Sequence, residues 1–419
     1  MVGPTPAAAI QRSDDLRRQN KRRILAALRV QRALARTELA AATGLSASTV
    51  SAATSELIAT GHLVEADLTP APDDDTARSA GGRGRPRVAL SRRPGAASVA
   101  ALTITVNAIQ VDLVDFAGDT ICTRSEPSRT GSLAQADFAS RISSLVETAL
   151  AAAPKGTGPL SSVAVAVQGV VDAEGEVLHW SPMSPHRNVG LAAELSRTLG
   201  AEVRLANDAD MIAAALHHDE PERFGGDFAA ILLSYGVGMG MFLGGTLFHG
   251  ARTSAAEIGH VPFEAGGALC RCGRFGCVEA YASEYGIWRA ATGADPRVVP
   301  AEPPDRAAMA GIAARAAAGD ACAIEAYRTA GRALGHAVLT LYTVFDPVTV
   351  AFVGSGALAF DLWEPVVREA LCGPSTGLPY EGALFYGYPE NIGLMSRGAV
   401  ITALSNLDRT IDVDRLQSG

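Results

Sequence analysis

One histidine and three cysteines lie close together in this sequence, at His260, Cys270, Cys272 and Cys277. The chain of 419 residues has six cysteines, so half of them fall in this short segment. Clusters of histidine and cysteine indicate a metal site, most commonly for zinc, with free cysteines as the alternative. Because zinc also occurs in DNA-binding fingers, the rest of the chain must show whether this segment or another contacts DNA.

The composition is that of a globular protein, with 48% hydrophobic and 19% charged residues. This length predicts two or three domains. We find no apolar run of about eighteen residues and no apolar core near the N-terminus, so we expect neither a membrane span nor a signal peptide. We therefore expect a cytoplasmic protein, in which a cysteine cluster favours metal over disulfide.

Charge is unevenly distributed along the chain. Residues 1–95 hold 15 Lys/Arg against 9 Asp/Glu, a net charge of +6, whereas the whole chain carries −8 and the remainder therefore −14. A basic head on an acidic body favours nucleic acid as the partner of the N-terminal segment. The alternative is that this uneven charge is only solvated by water and has no function.

Residues 1–68 are predicted to form a winged helix-turn-helix domain. The pattern indicates three helices and a strand, with Gly44 ending the second helix and Ser46 capping the third. Val50, Ala53 and Leu57 recur at helical spacing and would face inward. We expect the third helix to enter the major groove of double-stranded DNA, and a purely structural three-helix domain is the alternative.

Small hydroxyl side chains predominate on the outward face expected for this third helix, and Thr54 is expected there as well. Such side chains approach base edges and phosphates closely but discriminate bases poorly. The residues of this domain predicted to contact DNA are Arg36, Ser46, Ser48, Thr49 and Ser51.

Residues 69–95 are rich in Pro, Gly, Asp and Ser and indicate a wing or flexible linker. They contain the run GRGRP, in which Arg83 and Arg85 can lie along a narrow, A·T-rich minor groove. Glycine lets the backbone approach DNA, and proline keeps it extended. A disordered basic linker is the alternative. The letters RVAL after this run predict the returning strand of the wing.

From residue 96 to residue 419 the pattern changes to alternating strands and helices. The segments 98–121 and 227–250 each predict a hairpin of two strands, and EVRLANDADMIAAALHH predicts a strand that runs into a helix. This order predicts an α/β body of two similar halves.

Three motifs occur together in this body: ANDAD (206–210), AEIGH (256–260) and CRCGRFGCVEAYAS (270–283). The combination of E-x-G-H with C-x-C-G-x-x-G-C-x-E is highly specific. With the helix-turn-helix in front of it, the chain resembles the ROK family of repressors, open reading frames and kinases over nearly its whole length. The resemblance implies a multidomain protein, with an N-terminal winged helix-turn-helix followed by a two-lobed, actin-like (ribonuclease-H-like) sugar-kinase fold.

The resemblance places one zinc ion on His260, Cys270, Cys272 and Cys277. The chemistry agrees, because three thiolates and one imidazole make a closed tetrahedral set that is typical of a structural ion. The cluster would then be a structural clasp of the body, and DNA contact would lie in the N-terminal segment.

Kinases of this family bind a sugar beside the zinc loop. Carried over to this chain, the resemblance implies that sugar hydroxyls would contact Asn207, Asp208, Glu257, His260 and Glu279. Carboxylate and amide oxygens suit a polyol because they accept hydrogen bonds from hydroxyls. In a kinase the residue matching Asp208 is the general base. A helix cap is the alternative reading of the Asn-Asp pair.

The chain departs from the family kinases where ATP should bind. Their phosphate loop reads Asp-x-Gly-Gly-Thr, whereas this chain has TITVN, from Thr103 to Asn107. The carboxylate that serves the metal is absent, and Val106 would crowd a phosphate. The glycine-rich run YGVGMG remains, but alone it is more often a hairpin turn. We therefore expect no ATP binding and no enzymatic activity.

The sugar side also departs from the family pattern. Only Gly169 matches the Gly-Pro-Gly of many relatives, Met183 aligns with a sugar-binding Asn, and Ala256 replaces the glycine before Glu257. We expect the pocket to be present, with an unusual sugar or a sugar derivative as its ligand.

The leading hypothesis is a DNA-binding transcriptional regulator, a repressor of carbohydrate metabolism or transport genes that senses a sugar effector. It would bind a palindromic operator as a homodimer or homotetramer. One alternative is an active ATP-dependent sugar kinase with a DNA-binding head. Another is a DNA-binding protein whose body only oligomerises.

Overall fold

The computed structural model describes residues 13–67, 88–128, 135–182, 186–250, 256–302, 304–372 and 382–411. These residues form an N-terminal head of helices with a small sheet, followed by an α/β body of two lobes. The predicted fold class is confirmed. Arg83, Arg85 and Met183, on which sequence predictions rest, lie outside the described residues.

The head combines three helices with an antiparallel sheet of strand order β1-β3-β2. Strands β2 and β3 are the two predicted wing strands, and β1 is an additional strand of three residues. The elements are α1 (Ser13–Val30), β1 (Ala33–Ala35), α2 (Arg36–Thr43), α3 (Ala47–Ala59), β2 (Leu63–Asp67) and β3 (Val88–Arg92).

The turn between α2 and α3 forms as the sequence predicts. Gly44 ends α2 with φ 68, a left-handed conformation that glycine adopts without a steric penalty. The Ser46 hydroxyl then accepts the Thr49 backbone N–H at 3.2 Å and caps α3. These local signals fix where one helix stops and the next begins.

The buried face of α3 is one residue wider than predicted. Val50, Ala53 and Leu57 are buried, as expected. Thr54 is buried as well, so its predicted outward position is wrong. Residue 54 follows Val50 by one helical turn, and its hydroxyl donates to the Val50 carbonyl at 2.8 Å, which satisfies the polar group inside the head.

The first lobe carries a five-stranded sheet of order β10-β7-β4-β5-β6. Strands β4, β5 and β6 form an antiparallel meander, one strand more than the predicted hairpin, and β7 and β10 add in parallel. The elements are β4 (Ser98–Ile104), β5 (Ala108–Asp115), β6 (Thr120–Pro127), α4 (Gln135–Ala151), β7 (Leu160–Val167), β8 (Val170–Val171), β9 (Leu178–Trp180), α5 (Leu191–Leu199) and β10 (Glu202–Asn207).

The second lobe has a sheet of order β13-β12-β11-β14-β15. Its elements, with the helices around it, are α6 (Asp208–Asp219), α7 (Pro221–Phe224), β11 (Phe228–Leu233), β12 (Val237–Leu243), β13 (Thr246–Leu247), α8 (Glu279–Ala282), α9 (Glu284–Thr292), α10 (Arg306–Ala317), α11 (Ala321–Phe345), β14 (Thr349–Val353), α12 (Phe360–Leu371), β15 (Phe385–Tyr388) and α13 (Ile392–Thr410).

The two sheets have the same topology, a meander of three strands followed by two parallel strands, which confirms the predicted similarity of the two halves. Helix α6 packs on the second sheet, and α13 returns to pack on the first. Because α6 and α13 also pack against each other, they join the two lobes.

The head shares a hydrophobic core with the first lobe. Leu25 and Leu28 of α1 belong to the same buried cluster as Phe116 after β5 and Leu404 and Leu407 of α13. The segment 69–95, predicted to be a wing or linker, also contains β3, which pairs with β2 of the head and runs directly into the body. The head therefore contacts the body closely through its described residues.

No single helix in the described ranges has both the length and the apolar composition of a membrane span. Helices α10 and α11 meet those criteria only when taken together, and they are bent by 106° relative to each other.

Candidate functional site

The imidazole and the three thiols predicted to bind zinc converge in one place, with their ligand atoms within 4.8 Å of one another. Cys270 Sγ lies 3.7 Å from His260 Nδ1, and Cys272 Sγ lies 3.7 Å from Cys277 Sγ. Two sulfurs bound to one tetrahedral zinc ion, at Zn–S distances of about 2.3 Å, would be roughly 3.8 Å apart. A disulfide needs about 2.05 Å. The four side chains therefore have the geometry of a metal site.

The loop that carries these ligands depends on a glycine. Gly276 has φ 83, and a Cβ atom at this position would lie 1.7 Å from the Glu264 carbonyl oxygen. Burial raises the pKa of the Cys270 and Cys277 thiols above their ordinary values. Since a metal ion binds the thiolate, metal binding at this cluster must release protons.

Asn207 ends β10 and caps α6. Its Oδ1 accepts the backbone N–H groups of Ala209 at 2.8 Å and Asp210 at 3.3 Å, and its Nδ2 donates to the Gly169 carbonyl at 2.8 Å. The helix-cap reading of this residue is thus confirmed. Both ends of its amide are engaged by the protein, and its oxygen caps the start of α6.

Asp208, the first residue of α6, is only 6% exposed. Burial raises the pKa of its carboxyl to about 7, and the nearby carboxylates of Asp210 and Glu257 contribute in the same direction. The Ala209 backbone N–H, which Asp208 Oδ1 accepts at 2.9 Å, opposes this shift. Near neutral pH this carboxyl can therefore both donate and accept hydrogen bonds.

His260 connects the metal cluster with the pocket. Its Nδ1 lies toward Cys270, whereas its Nε2 lies 3.8 Å from Glu257 Oε2. Ala256, just before Glu257, has φ 67. A residue with a Cβ atom enters this left-handed region at a cost of about 1 kcal/mol. Replacement of the family glycine therefore leaves a strained backbone beside one of the predicted sugar ligands.

Glu279, at the start of α8, is only 3% exposed. Its carboxylate accepts from the Tyr285 hydroxyl at 3.2 Å and from the Val237 backbone N–H at 3.3 Å. It also accepts from Arg271, through Nε at 3.3 Å and Nη2 at 3.4 Å. The predicted sugar ligand Glu279 thus accepts from protein donors on both of its oxygens.

The five predicted sugar ligands line one cavity, together with Arg271, Gln168 and Trp180. Its volume is about 50 Å³. Small-molecule pockets commonly measure about 300–1,000 Å³, so this cavity as it stands has room for a few water molecules but not for a sugar. A larger hollow of about 570 Å³ lies beside it, and Asn207 is the one predicted sugar ligand that reaches it.

The segment aligned with the kinase phosphate loop forms a closed turn between β4 and β5. The Thr105 N–H donates to the Ala108 carbonyl at 2.9 Å, and Thr105 Oγ1 accepts the Ala108 N–H at 3.1 Å. Val106 packs against the core of the first lobe. Two backbone N–H groups of this turn are therefore already used within the turn itself.

The glycine-rich run YGVGMG has a packing role. A Cβ atom on Gly240 would lie 2.3 Å from the carbonyl oxygen of Ala209 in α6. Glycine at this position lets α6 pack closely on β12. Close packing therefore explains the glycine at this position, and no role in nucleotide binding is needed to account for it.

The predicted DNA contacts of the head lie on the exposed side of α3 and at its edge. The Ser46 hydroxyl forms hydrogen bonds with Ser48 Oγ at 2.9 Å and Thr49 Oγ1 at 2.8 Å, and Ser48 and Ser51 are exposed. Arg36 is held beside this surface, because its Nε donates to Thr54 Oγ1 at 3.2 Å.

Two arrangements were missed by the sequence reasoning. Arg271 lines the pocket, and Asp408 of α13 binds both Arg29 and Arg92 of the head. The position of Arg271 between two predicted cysteine ligands places it near the cysteine cluster but does not say which way its side chain turns. The ion pairs of Asp408 span more than 300 residues of sequence, and no local pattern signals them.

Comparison with known proteins places these features in a family. The profile of the ROK family matches residues 100–371, and a profile of winged helix-turn-helix DNA-binding domains matches residues 17–61. The chain is 26% identical over 217 residues to the DNA-binding transcriptional dual regulator NagC of Escherichia coli (strain K12), a match that covers 51% of this chain and 52% of that relative. The match thus spans about half the length of this relative.

A longer match covers 85% of this chain and 88% of the xylose repressor of Caldicellulosiruptor bescii, with 25% identity over 363 residues. Among solved structures, a ROK family transcriptional regulator described as a homolog of the Escherichia coli MLC protein has a TM-score of 0.76 at 22% identity, over 96% of this chain and 100% of that chain. A ROK family glucokinase from Streptomyces griseus in complex with glucose and AMPPNP has a TM-score of 0.60 at 23% identity, over 73% and 99%. These structures show a shared fold. Because the family profile covers well over half of its length, the chain belongs to the ROK family.

Proposed function

We propose that this protein is a cytoplasmic transcriptional regulator that binds operator DNA through its head and a sugar or sugar derivative through its body. We further propose that it represses genes of carbohydrate metabolism or transport. The observation that carries this proposal is the connection between head and pocket through α13. Relatives named N-acetylglucosamine repressor and xylose repressor support it.

The connection has three steps. Asp208, in the pocket, is the first residue of α6, and α6 packs against α13. Near its C-terminal end α13 carries Asp408, which binds Arg29 in α1 and Arg92 in β3. A ligand that shifts α6 would therefore shift the support of the head, provided that it prefers one arrangement of the two helices.

The metal cluster has a structural role in this proposal. A zinc ion held by His260, Cys270, Cys272 and Cys277 would fix the imidazole in the pocket wall, with Nδ1 on the metal side and Nε2 toward Glu257. With all four positions taken by protein ligands, a bound zinc ion would be structural. The protein's own carboxylates, Asp208 and Glu257, would bind the hydroxyls of the effector.

Operator binding requires paired heads, because palindromic half-sites are read by a symmetric protein. We therefore propose a homodimer or a homotetramer.

Selection from a randomised duplex pool, followed by gel shift at fixed salt, tests the proposed operator binding. We expect enrichment of a palindrome whose half-sites lie about one or two helical turns apart. Failure of any sequence to rise above background would contradict the proposal.

The second candidate, a sugar kinase, is favoured by Asp208 at the position of the kinase base. The closed turn at Thr105 and the packed Val106 argue against it, because two backbone N–H groups of this turn are already used within it. ADP release in the presence of Mg²⁺-ATP and a panel of sugars decides between the two. We expect no release above a protein-free control, and sustained turnover that Asp208→Asn abolishes would establish the kinase instead.

A further inference from the structure

We propose that Arg271 is a built-in occupant of the sugar pocket, whose guanidinium takes the hydroxyl-binding place on Glu279, and that an effector binds by displacing it. This inference rests on the proposed sugar-binding function of the pocket. It identifies Arg271 as a residue that limits how tightly an effector binds and selects the chemical class of that effector.

The first support is position. Arg271 stands between the predicted ligands Cys270 and Cys272, and it lines the cavity. Its side chain is 12% exposed, and its Nε and Nη2 both point at the Glu279 carboxylate. The guanidinium carbon lies 4.0 Å from the ring centre of Tyr235, a distance typical of a cation–π contact.

The second support is space. A Cβ atom on Gly236 would lie 2.4 Å from Arg271 Nη2 and 2.8 Å from Glu279 Oε2. The guanidinium therefore packs directly on the backbone of the β11–β12 turn and fills the cavity beside Glu279. The remaining 50 Å³ is too small for a sugar, so a ligand needs the volume that this side chain occupies.

The third support is that the guanidinium is incompletely satisfied. Charge-assisted N–H···O contacts are usually about 2.7–2.9 Å long, whereas both contacts with Glu279 exceed 3.2 Å. Nη1 is buried and has no hydrogen-bond partner in the parts of the chain that the structure describes. An incompletely bonded guanidinium is easier to exchange for ligand hydroxyls than one with every donor paired.

The same geometry indicates the class of effector. Two N–H donors of Arg271 point at one carboxylate, and two adjacent hydroxyls of a sugar supply the same pair of donors. Once Arg271 has left, the wall presents the carboxyl groups of Asp208, Glu257 and Glu279, which disfavour an anion. The structure thus assigns a neutral sugar with two adjacent free hydroxyls. Its binding would move Arg271 and, with it, the metal loop.

Two variants test the displacement. Arg271→Ala removes the occupant, and Arg271→Gln keeps a shorter, neutral donor for Glu279 in case the alanine variant fails to fold. Arg297→Ala, an exposed arginine after α9, is the matched control. Metal content and melting temperature establish that each variant is folded. Binding is measured by titration calorimetry with D-glucose, N-acetyl-D-glucosamine and D-xylose, each on the full chain.

We expect at least one sugar to bind Arg271→Ala about tenfold or more tightly than wild type, Arg271→Gln to be intermediate, and Arg297→Ala to match wild type. If a sugar binds wild type and both Arg271 variants bind it equally or more weakly, the displacement idea is wrong while the sugar-binding function stands. If neither wild type nor any folded Arg271 variant binds a sugar, the proposed sensing function fails, and the displacement with it.

Discussion

Asp408 Oδ1 accepts a hydrogen bond from Arg92 Nη2 at 2.7 Å, and this pair joins the wing strand of the head to the last turns of α13. The side chains are 6% and 1% exposed. Arg29 of α1 binds the other carboxylate oxygen, and the Arg92 guanidinium lies 4.0 Å from the ring centre of Phe116. One buried carboxylate therefore holds two separate elements of the head on the body.

Removing that carboxylate should lower the free energy of unfolding of the whole protein. Asp408→Ala leaves two buried guanidinium groups without their anion, so we expect a loss of about 3–5 kcal/mol in the free energy of unfolding, measured by denaturant titration. The control is Asp119→Ala, which removes an exposed ion pair with Arg32 between the same two parts of the protein. There we expect about 1 kcal/mol or less. Equal effects of the two variants would mean that Asp408 does not hold the head.

The cluster of one histidine and three cysteines predicts that each chain binds one zinc ion. Cys272→Ser should reduce zinc, measured by atomic emission after dialysis, from about one ion per chain to well below half, because serine is a poor zinc ligand. Cys322→Ser changes an exposed cysteine outside the cluster and should leave the zinc content unchanged. One ion per chain in both variants would show that the ligand assignment is wrong.

The raised pKa of Asp208, about 7, makes stability depend on pH. In the unfolded chain the same carboxyl titrates near 4, so between these values the native state binds a proton that the unfolded state releases. The contribution of Asp208 to the free energy of unfolding should therefore fall as pH rises from about 4 to about 7. Asp208→Asn stays neutral and keeps an oxygen that can accept the Ala209 N–H.

Relative to wild type, Asp208→Asn should gain about 1–3 kcal/mol in the free energy of unfolding between pH 5 and pH 8. The control Asp361→Asn changes an exposed carboxylate on α12 and should show no such gain. Parallel pH profiles for Asp208→Asn and wild type would indicate that Asp208 is solvated in solution.

The run GRGRP is predicted to contact the minor groove, although it lies outside the described residues. Replacing Arg83 and Arg85 with alanine should weaken operator binding and reduce the slope of log affinity against log salt by roughly 2, one for each lost phosphate or groove contact. Arg328→Ala, an exposed arginine on α11, should change neither quantity. Unaltered binding by the double variant, measured by fluorescence anisotropy at several salt concentrations, would exclude the minor-groove role.

Local signals in the sequence predicted the three helices of the head and the two similar halves of the body. Gly44 and Ser46 mark the turn, and both act through groups within a few residues of themselves. The predicted outward position of Thr54 was wrong, because a small polar residue can be buried when its hydroxyl donates a hydrogen bond to a backbone carbonyl one turn away. The pattern of hydrophobic residues alone does not show that a polar group has been satisfied internally.

The sequence predicted which residues lie together at the candidate site, but not which side chains fill the pocket. The four predicted metal ligands are close in sequence, and their side chains meet as expected. Glu279 lies in the pocket as expected, but its partner Arg271 could not be foreseen, because a side-chain rotamer depends on the packing of Tyr235 and Gly236 around it. Contacts such as Asp408 with Arg92 depend on the tertiary fold and leave no trace in the local sequence.

Sugar binding in the pocket is proposed to change DNA binding by the head. The direct measurement is the dissociation constant of the full chain for its selected operator, by fluorescence anisotropy at fixed salt, with and without a sugar that calorimetry shows to bind. We expect the constant to change about tenfold or more, in either direction, and the change to disappear in Asp208→Ala. A sugar that binds the pocket and leaves the operator affinity unchanged would contradict the account.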